Sequence, residues 1–493
     1  MIERGTSFGR KAIGSVIVVG AAQAIKTGLQ FLSTLFFARF LEPSDFGLIA
    51  AVAPVLTFII LFQDIGIQQA VIQRKEISED QLNRLFWIVS IIGFLCACVV
   101  VFIAPFVARF YSEPKLSMIT IVASFALFLN SLAALPTSLI NRNLRFSQLA
   151  IVGIFSSVSG FCVGIFSAWL GASYWALVVM PIVGAIVNLI GVFVVSGWRP
   201  GRPAFGIDRD IIGFGANLTG FNILNFFSRN LDNILIGRYH GGLALGYYDI
   251  AYKLLLFPIR SINEPIGRVI IPMLGKVQED KERVRRIYLR TVGVMQFLVV
   301  PGIAVVTIAA EDVIVLLLGL KWLAIAPVFS WLGIASLGQV MGNSTGWIFI
   351  SQGRTDVMFK WGIYSSLITS AAFVVGLPWG IEGVAIAYVL ASYGLLSPVL
   401  YYLMGKTGPV KTSEYLKLQL PSLIAAGLTW LVAEYLLRGV WVMDGIPFIL
   451  ATGLVSYVLA ALAFSSIALG RATLKDSWNL LSKVPNLVRR REL

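Results

Sequence analysis

The sequence has one histidine, His240, and three cysteines, Cys96, Cys98 and Cys162, all inside apolar stretches. No Cys or His spacing suits a metal, which excludes a zinc centre and leaves a histidine-dependent hydrolase only His240 to work with. No cofactor or metal is expected. The cysteines read as small buried apolar residues. Charge is scarce: 13% of the chain is Asp, Glu, Lys or Arg, about half the roughly 25% of a soluble domain. Carboxylates are the scarcer sign, 25 against 39 cations, for a net charge of +14. Period-2 alternation is missing too, which excludes an outer-membrane barrel.

Apolar sequence is what the chain has. It is 57% hydrophobic with a mean hydropathy of +0.84. Runs of about 20 apolar residues separated by short polar breaks read as a polytopic helical membrane protein. Fourteen spans are predicted, at 13–38, 45–63, 85–108, 117–138, 148–170, 174–196, 211–237, 246–274, 288–310, 323–350, 359–377, 383–404, 417–437 and 446–468. Arg4, Arg10 and Lys11 before an apolar run ending in Ala22-Gln23-Ala24 superficially resemble a cleavable signal. The run continues through Phe40, so it is read as the first span.

The loops support this count. One alternate set of loops and the tail hold 28 of the 39 basic residues, while the opposite set holds only Arg39, Arg109, Lys115, Arg238, Lys321 and Arg438. By the positive-inside rule, both termini lie in the cytoplasm and the protein sits in the cytoplasmic (inner) membrane. The basic balance is thus a topology signal, and no nucleic acid is expected as a partner. The tail from Lys475 to Arg491, with Trp478, Leu481, Val484 and Leu487, reads either as a basic amphipathic helix on anionic lipid or as a frayed end.

A polar stripe occurs twice, 199 residues apart. Gln23, Lys26, Gln30 and Thr34 share a helical face, and Asn222, Asn225, Arg229 and Asn233 repeat it, with Asp232 opposite Ser33. Arg39-Phe40 and Gly47 return as Arg238-Tyr239 and Gly246. A separation of six spans gives both copies the same orientation, as in transporters whose halves are related by an axis along the membrane normal. The predicted fold is all-α: two six-helix bundles in a pseudo-twofold arrangement plus two extra C-terminal helices. The predicted parts are an N-terminal lobe 1–198, a linker 199–210 opened by Gly197-Trp198-Arg199-Pro200-Gly201, a C-terminal lobe 211–405, a helix pair 406–470 and a basic tail 471–493.

Five cations fall inside spans: Lys26, Arg229, Lys253, Arg260 and Arg268. Each costs about 2.5–3.5 kcal/mol at the bilayer centre on insertion scales. On the eighth span Asp249, Lys253, Arg260, Glu264 and Arg268 fall within an arc of roughly 100°. One reading is a water-filled, net-positive cavity for an anionic head group, with Lys26, Arg229, Lys253 and Arg260 as cations and Gln23, Gln30, Asn222 and Asn225 as amides. The other is pairing within a helix, Arg229 with Asp232 and Arg260 with Glu264, while Arg268 snorkels to the membrane surface. Asp232, Asp249 and Glu264 are candidates for coupling to a proton or sodium gradient; Asp64 marks the end of the second span.

Several stretches resemble one family. Phe37-Ala-Arg-Phe-Leu-Glu-Pro-Ser-Asp-Phe-Gly47, Asp64-Ile-Gly66 and Ala70-Val-Ile-Gln-Arg74 look like the start of polysaccharide-transport flippases. Asn141-Arg-Asn-Leu-Arg-Phe146, Asn230-Leu-Asp-Asn-Ile-Leu-Ile-Gly-Arg238 and Gly246-Tyr-Tyr-Asp-Ile-Ala-Tyr-Lys253 are similar to it too. These are the Wzx-type members of the multidrug/oligosaccharidyl-lipid/polysaccharide exporter superfamily. The resemblance implies a non-enzymatic flippase that carries an undecaprenyl-diphosphate-linked oligosaccharide to the outer leaflet by alternating access, for surface polysaccharide biosynthesis. Its implied partners are that lipid-linked substrate, membrane lipids, and a polysaccharide polymerase with its export machinery. Spans 13 and 14 exceed the family's usual twelve, although lipid II flippases have fourteen. A multidrug or lipid II exporter is the nearest alternative. A membrane polymerase or ligase is the enzyme alternative, but its acid–base groups would need larger outer loops than Gly171-Ala-Ser173 provides.

Overall fold

In the computed structural model the described backbone comprises residues 3–63, 71, 77–203 and 209–489. Side chains are described from 20 to 478, apart from those gaps and 209–225, 227 and 228. The Asp64-Ile-Gly66 motif and residues 72–74 lie outside the described residues.

Among the described residues the protein is all-α. The first helices are α1 (Glu3–Phe40), α2 (Pro43–Gln63), α3 (Glu79–Tyr111), α4 (Lys115–Arg142), α5 (Phe146–Trp169) and α6 (Trp175–Ser196). A helical stretch Arg209–Lys276 is broken at Gly241, whose φ of 80° only a residue without Cβ adopts freely. We call its parts α7 (209–240) and α8 (242–276). Then come α9 (Lys281–Ile308), short α10 (Ala310–Leu317), α11 (Ala326–Ser351), α12 (Thr355–Gly376), α13 (Gly380–Ala391) and α14 (Ser397–Thr407). The last are α15 (Thr412–Val432), α16 (Gly445–Ser465) and α17 (Ala468–Arg489).

Ten helices among the described residues are long and apolar enough to cross a membrane, and one of them, Thr355–Thr407, holds two of the predicted spans. The polar helices α1, α7 and α8 are not among the ten.

Local signals set the ends. Ser78 and Gln81 form a reciprocal capping box at the start of α3. Asp280 caps α9 by accepting from Arg283 N at 2.9 Å. The expected linker is tied back to α3: Trp87 Nε1 donates to the Gly201 carbonyl at 3.1 Å, and Trp198 Nε1 to Glu79 Oε2 at 3.0 Å. Some buried hydroxyls return their hydrogen bond to their own helix, as Ser90 does to the Phe86 carbonyl (2.7 Å) and Thr429 to that of Ala425 (2.7 Å). Large apolar side chains such as Phe102, Trp169 and Val194 stand outward, the surface that lipid covers. Cys98 and Cys162 are exposed and Cys96 intermediate, not buried as expected. On helices with a lipid-facing side, a thiol is as acceptable outside as inside.

The chain forms two compact units, Met1–Asp249 and Ile250–Leu493. In the first, α3 packs along α4, α5 along α6, α1 on α5, and α2 on α3 and α4. The hairpin of α7 and the start of α8 joins this unit. Phe226 meets Phe58 with ring centres 5.1 Å apart, and Arg238 lies over the Phe110 ring at 5.7 Å.

In the second unit α9 is the post on which α11, α15, α16 and α17 pack. Val292, Met295, Tyr288, Met341, Tyr415 and Leu418 belong to its core. The predicted extra pair, α15 and α16, is fastened to α9 along its length. Arg285 forms ion pairs with Glu414 and Glu282 near one end. In the middle Gln296 Nε2 donates to Gln419 Oε1 at 3.2 Å, and Ser456 and Tyr457 donate to the Pro301 and Leu298 carbonyls at 3.1 and 2.9 Å. Beyond the other end of α9, Arg438 pairs with Asp312 of α10 at 2.6 Å.

Candidate functional site

The first polar stripe lies on α1. Gln23 and Gln30 are exposed and Lys26 is half-buried. Gln23 Nε2 donates to Thr27 Oγ1 at 3.4 Å, while Ser33 and Thr34 donate to the Gln30 carbonyl at 2.7 and 3.1 Å. The Lys26 side chain reaches towards α5. A Cβ added at Gly153 would lie 2.0 Å from Lys26 Nζ, so the missing side chain at Gly153 makes room for the ammonium. No carboxylate engages Lys26 among the described residues.

The second stripe lies on α7. Asn222 and Asn225 are on its helical backbone, with side chains outside the described set. Arg229 is exposed. Asp232 is 5% exposed and accepts from Tyr248 Oη at 3.1 Å and from Asn233 N at 2.8 Å. The Arg229–Asp232 pair considered from sequence is not formed, because Asp232 is turned inward to Tyr248. Asp249, next to Tyr248, is 8% exposed. On α8 Lys253, Arg260, Glu264 and Arg268 are all exposed, and Arg260 and Glu264 form no ion pair with each other. The first unit therefore holds Gln23, Lys26, Gln30, Arg229, Asp232 and Asp249, and the second holds Lys253, Arg260 and Glu264.

The geometry adds a feature that the stripe did not foretell. A Cβ at Gly47 would lie 1.7 Å from the Gly242 carbonyl oxygen, and a Cβ at Gly246 would lie 1.9 Å from the Pro43 carbonyl oxygen. These two contacts are one contact repeated, since 242 and 246 lie 199 residues after 43 and 47. Residue 47 meets the repeat equivalent of 43, and 246 meets 43 itself. Such reciprocity is the mark of a twofold relation. The α1–α2 and α7–α8 hairpins thus meet backbone to backbone about a local pseudo-twofold axis. Only residues without Cβ allow that approach. The sequence carried half of this signal, since Gly47 and Gly246 were already equivalent. Tyr248 and Gly153 gave no signal of their own.

Residues 36–327 match the family described as "Polysaccharide biosynthesis protein". The lipopolysaccharide biosynthesis protein WzxC of Escherichia coli K12 is 27% identical over 444 residues, covering 87% of this chain and 88% of that protein. The teichuronic acid biosynthesis protein TuaB of Bacillus subtilis is 26% identical over 303 residues, 60% of this chain and 62% of its own. A solved structure of the lipid II flippase MurJ in an inward closed conformation superposes with a TM-score of 0.72 at 14% identity, covering 91% of this chain and 98% of that one. The matched stretch is more than half of the 493 residues and contains both copies of the glycine contact. The chain belongs to the polysaccharide biosynthesis protein family and is a multi-pass membrane protein.

Proposed function

We propose that this protein is a flippase that moves oligosaccharide repeat units, linked to undecaprenyl diphosphate, across the cytoplasmic membrane for surface polysaccharide synthesis. The observation that carries the reading is a set of cations, on helices that the sequence reads as spans, without carboxylate partners. Lys26, Arg229 and Arg260 form no ion pair among the described residues, although each costs about 2.5–3.5 kcal/mol at mid-bilayer on insertion scales. A diphosphate head group supplies the missing counter-charge. In this reading Lys26 and Arg229 of the first unit and Lys253 and Arg260 of the second serve as cations for the head group. The guanidinium forks hold phosphate oxygens in pairs, and Gln23, Gln30, Asn222 and Asn225 meet sugar hydroxyls.

The cycle is alternating access, with both termini in the cytoplasm. The contact of Gly47 with Gly242 and of Gly246 with Pro43 is its closed outer gate. Asp232, with Asp249 and Glu264, couples the cycle to proton or sodium entry. Asp232 is buried with Tyr248 as its donor, so a proton or a cation arriving there changes the balance at the α7–α8 hairpin. A lipid II exporter is the second reading, favoured by the shared fold. Binding tests the proposal. Purified protein is titrated with an oligosaccharide on polyprenyl diphosphate and with the same sugar on a neutral polyprenol, and thermal stabilisation is followed. Stabilisation by the diphosphate alone, lost in Arg229→Ala with Lys253→Ala, is expected. Equal stabilisation by both lipids overturns the head-group assignment.

A further inference from the structure

We propose that α17 is a lipid-surface helix that binds anionic phospholipid head groups beside the cytoplasmic end of α9. This inference rests on the chain's own C-terminal geometry and is independent of the transported substrate. α17 starts three residues after α16 ends, so its first turn sits at the membrane boundary. One face of its first half is docked. Thr473 and Ser477 are each 1% exposed. Thr473 Oγ1 would lie 2.5 Å from a Cβ at Gly293 of α9, and Asp476 holds Arg290 of α9 through both carboxylate oxygens, one bond measuring 2.6 Å.

The opposite face is open and basic. Arg471 and Lys475 are exposed, and between them and the next turn stands Trp478, 72% exposed. At 100° per residue Arg471, Lys475 and Trp478 share a face. From Ala468 onward there are six cations, Arg471, Lys475, Lys483, Arg489, Arg490 and Arg491, against two carboxylates, Asp476 and Glu492. Arg290 already neutralises Asp476. The sequence from Leu480 to Val488 adds Leu480, Leu481, Val484, Leu487 and Val488 among these charges. A helix docked on one side and carrying exposed cations with a tryptophan among them on the other is suited to the interface of an anionic leaflet. The charge complementarity selects anionic lipid over neutral lipid. Because Asp476 grips Arg290, whatever holds α17 also holds the start of α9.

The test places a reporter on the exposed face. In a background with Cys96, Cys98 and Cys162 replaced by alanine, Trp478→Cys is labelled with an environment-sensitive fluorophore. The protein is assembled, one copy per disc, into nanodiscs of phosphatidylcholine alone or mixed with phosphatidylglycerol. A blue shift in the anionic discs only, reversed by high salt and lost in Arg471→Glu with Lys475→Glu, is the expected result. The milder Arg471→Gln with Lys475→Gln gives a partial loss in protein that elutes as a single species. Identical emission in the two lipids, or a shift insensitive to salt and to both charge variants, overturns the proposal. A shift that appears only with two copies per disc assigns the face to a second protomer and overturns it as well.

Discussion

Adding one carbon at Gly246 is the sharpest perturbation that the fold offers. The new Cβ would stand 1.9 Å from the Pro43 carbonyl oxygen and 3.0 Å from Gly47 N. Carbon and oxygen in close packing keep about 3.3–3.6 Å, so the two hairpins must separate by roughly 1.5 Å. Both opposing atoms are backbone, and no side chain can swing aside to absorb the change. Overpacking of this kind costs about 1–3 kcal/mol, which would be charged to the state in which the hairpins touch. If that contact is the closed outer gate, Gly246→Ala raises the ratio of parted to closed molecules by roughly 5- to 150-fold. Gly47→Ala, with its Cβ 1.7 Å from the Gly242 oxygen, does the same from the other side. The reporter is Ala50→Cys, 2% exposed and one turn beyond Gly47, in the cysteine-replaced background. Its reaction rate with a membrane-impermeant maleimide added outside intact cells should rise in each glycine variant. Unchanged labelling in folded protein would refute the argument that backbone contact at these glycines sets the closed state.

Other outcomes follow from the second unit. Gln419→Leu strands the Tyr401 hydroxyl, which donates to Gln419 Oε1 at 3.3 Å, and the Leu337 carbonyl, which accepts from Gln419 Nε2 at 3.3 Å; thermal unfolding in detergent should show a loss of about 1–3 kcal/mol. Arg438→Ala leaves Asp312 with only the Gly445 amide, 2.7 Å away, and should cost about 1.5–3 kcal/mol in the same assay. The hydrogen bonds from Arg290 hold the Asp476 carboxyl below its ordinary value. Its contribution to docking is therefore full above the unfolded aspartate value of about 3.9 and is lost as pH falls through the lower folded value. Proteolysis of α17 should accelerate only in that acidic window, and Asp476→Asn should be susceptible without needing acid.

The spans were legible because a bilayer demands about 20 apolar residues per crossing, a signal that needs no tertiary information. The local pseudo-twofold relation was legible through Gln23, Lys26 and Gln30 and their equivalents 199 residues on. Its physical contact was not, since nothing in Gly47 or Gly246 tells which carbonyl a neighbouring hairpin will present. The attachments of α15–α17 were hidden for a related reason. Arg438 lies 126 residues from Asp312, and Arg290 lies 186 from Asp476; long ion pairs have no period to read. Asp232 shows how a local rule can mislead. Its i,i+3 neighbour Arg229 was the obvious partner, yet the buried side of α7 gave the carboxylate a tyrosine instead.

The central claim is movement of a diphosphate-linked oligosaccharide, and transbilayer flipping measures it. Protein is reconstituted into sealed liposomes with a labelled polyprenyl-diphosphate oligosaccharide, and exposure of its head group to an added enzyme is followed with time. Acceleration over protein-free liposomes, abolished by Arg229→Ala with Lys253→Ala in folded protein, is the predicted result. No acceleration with any of several sugar cargoes, or acceleration indifferent to both substitutions, would contradict the account and make those cations structural.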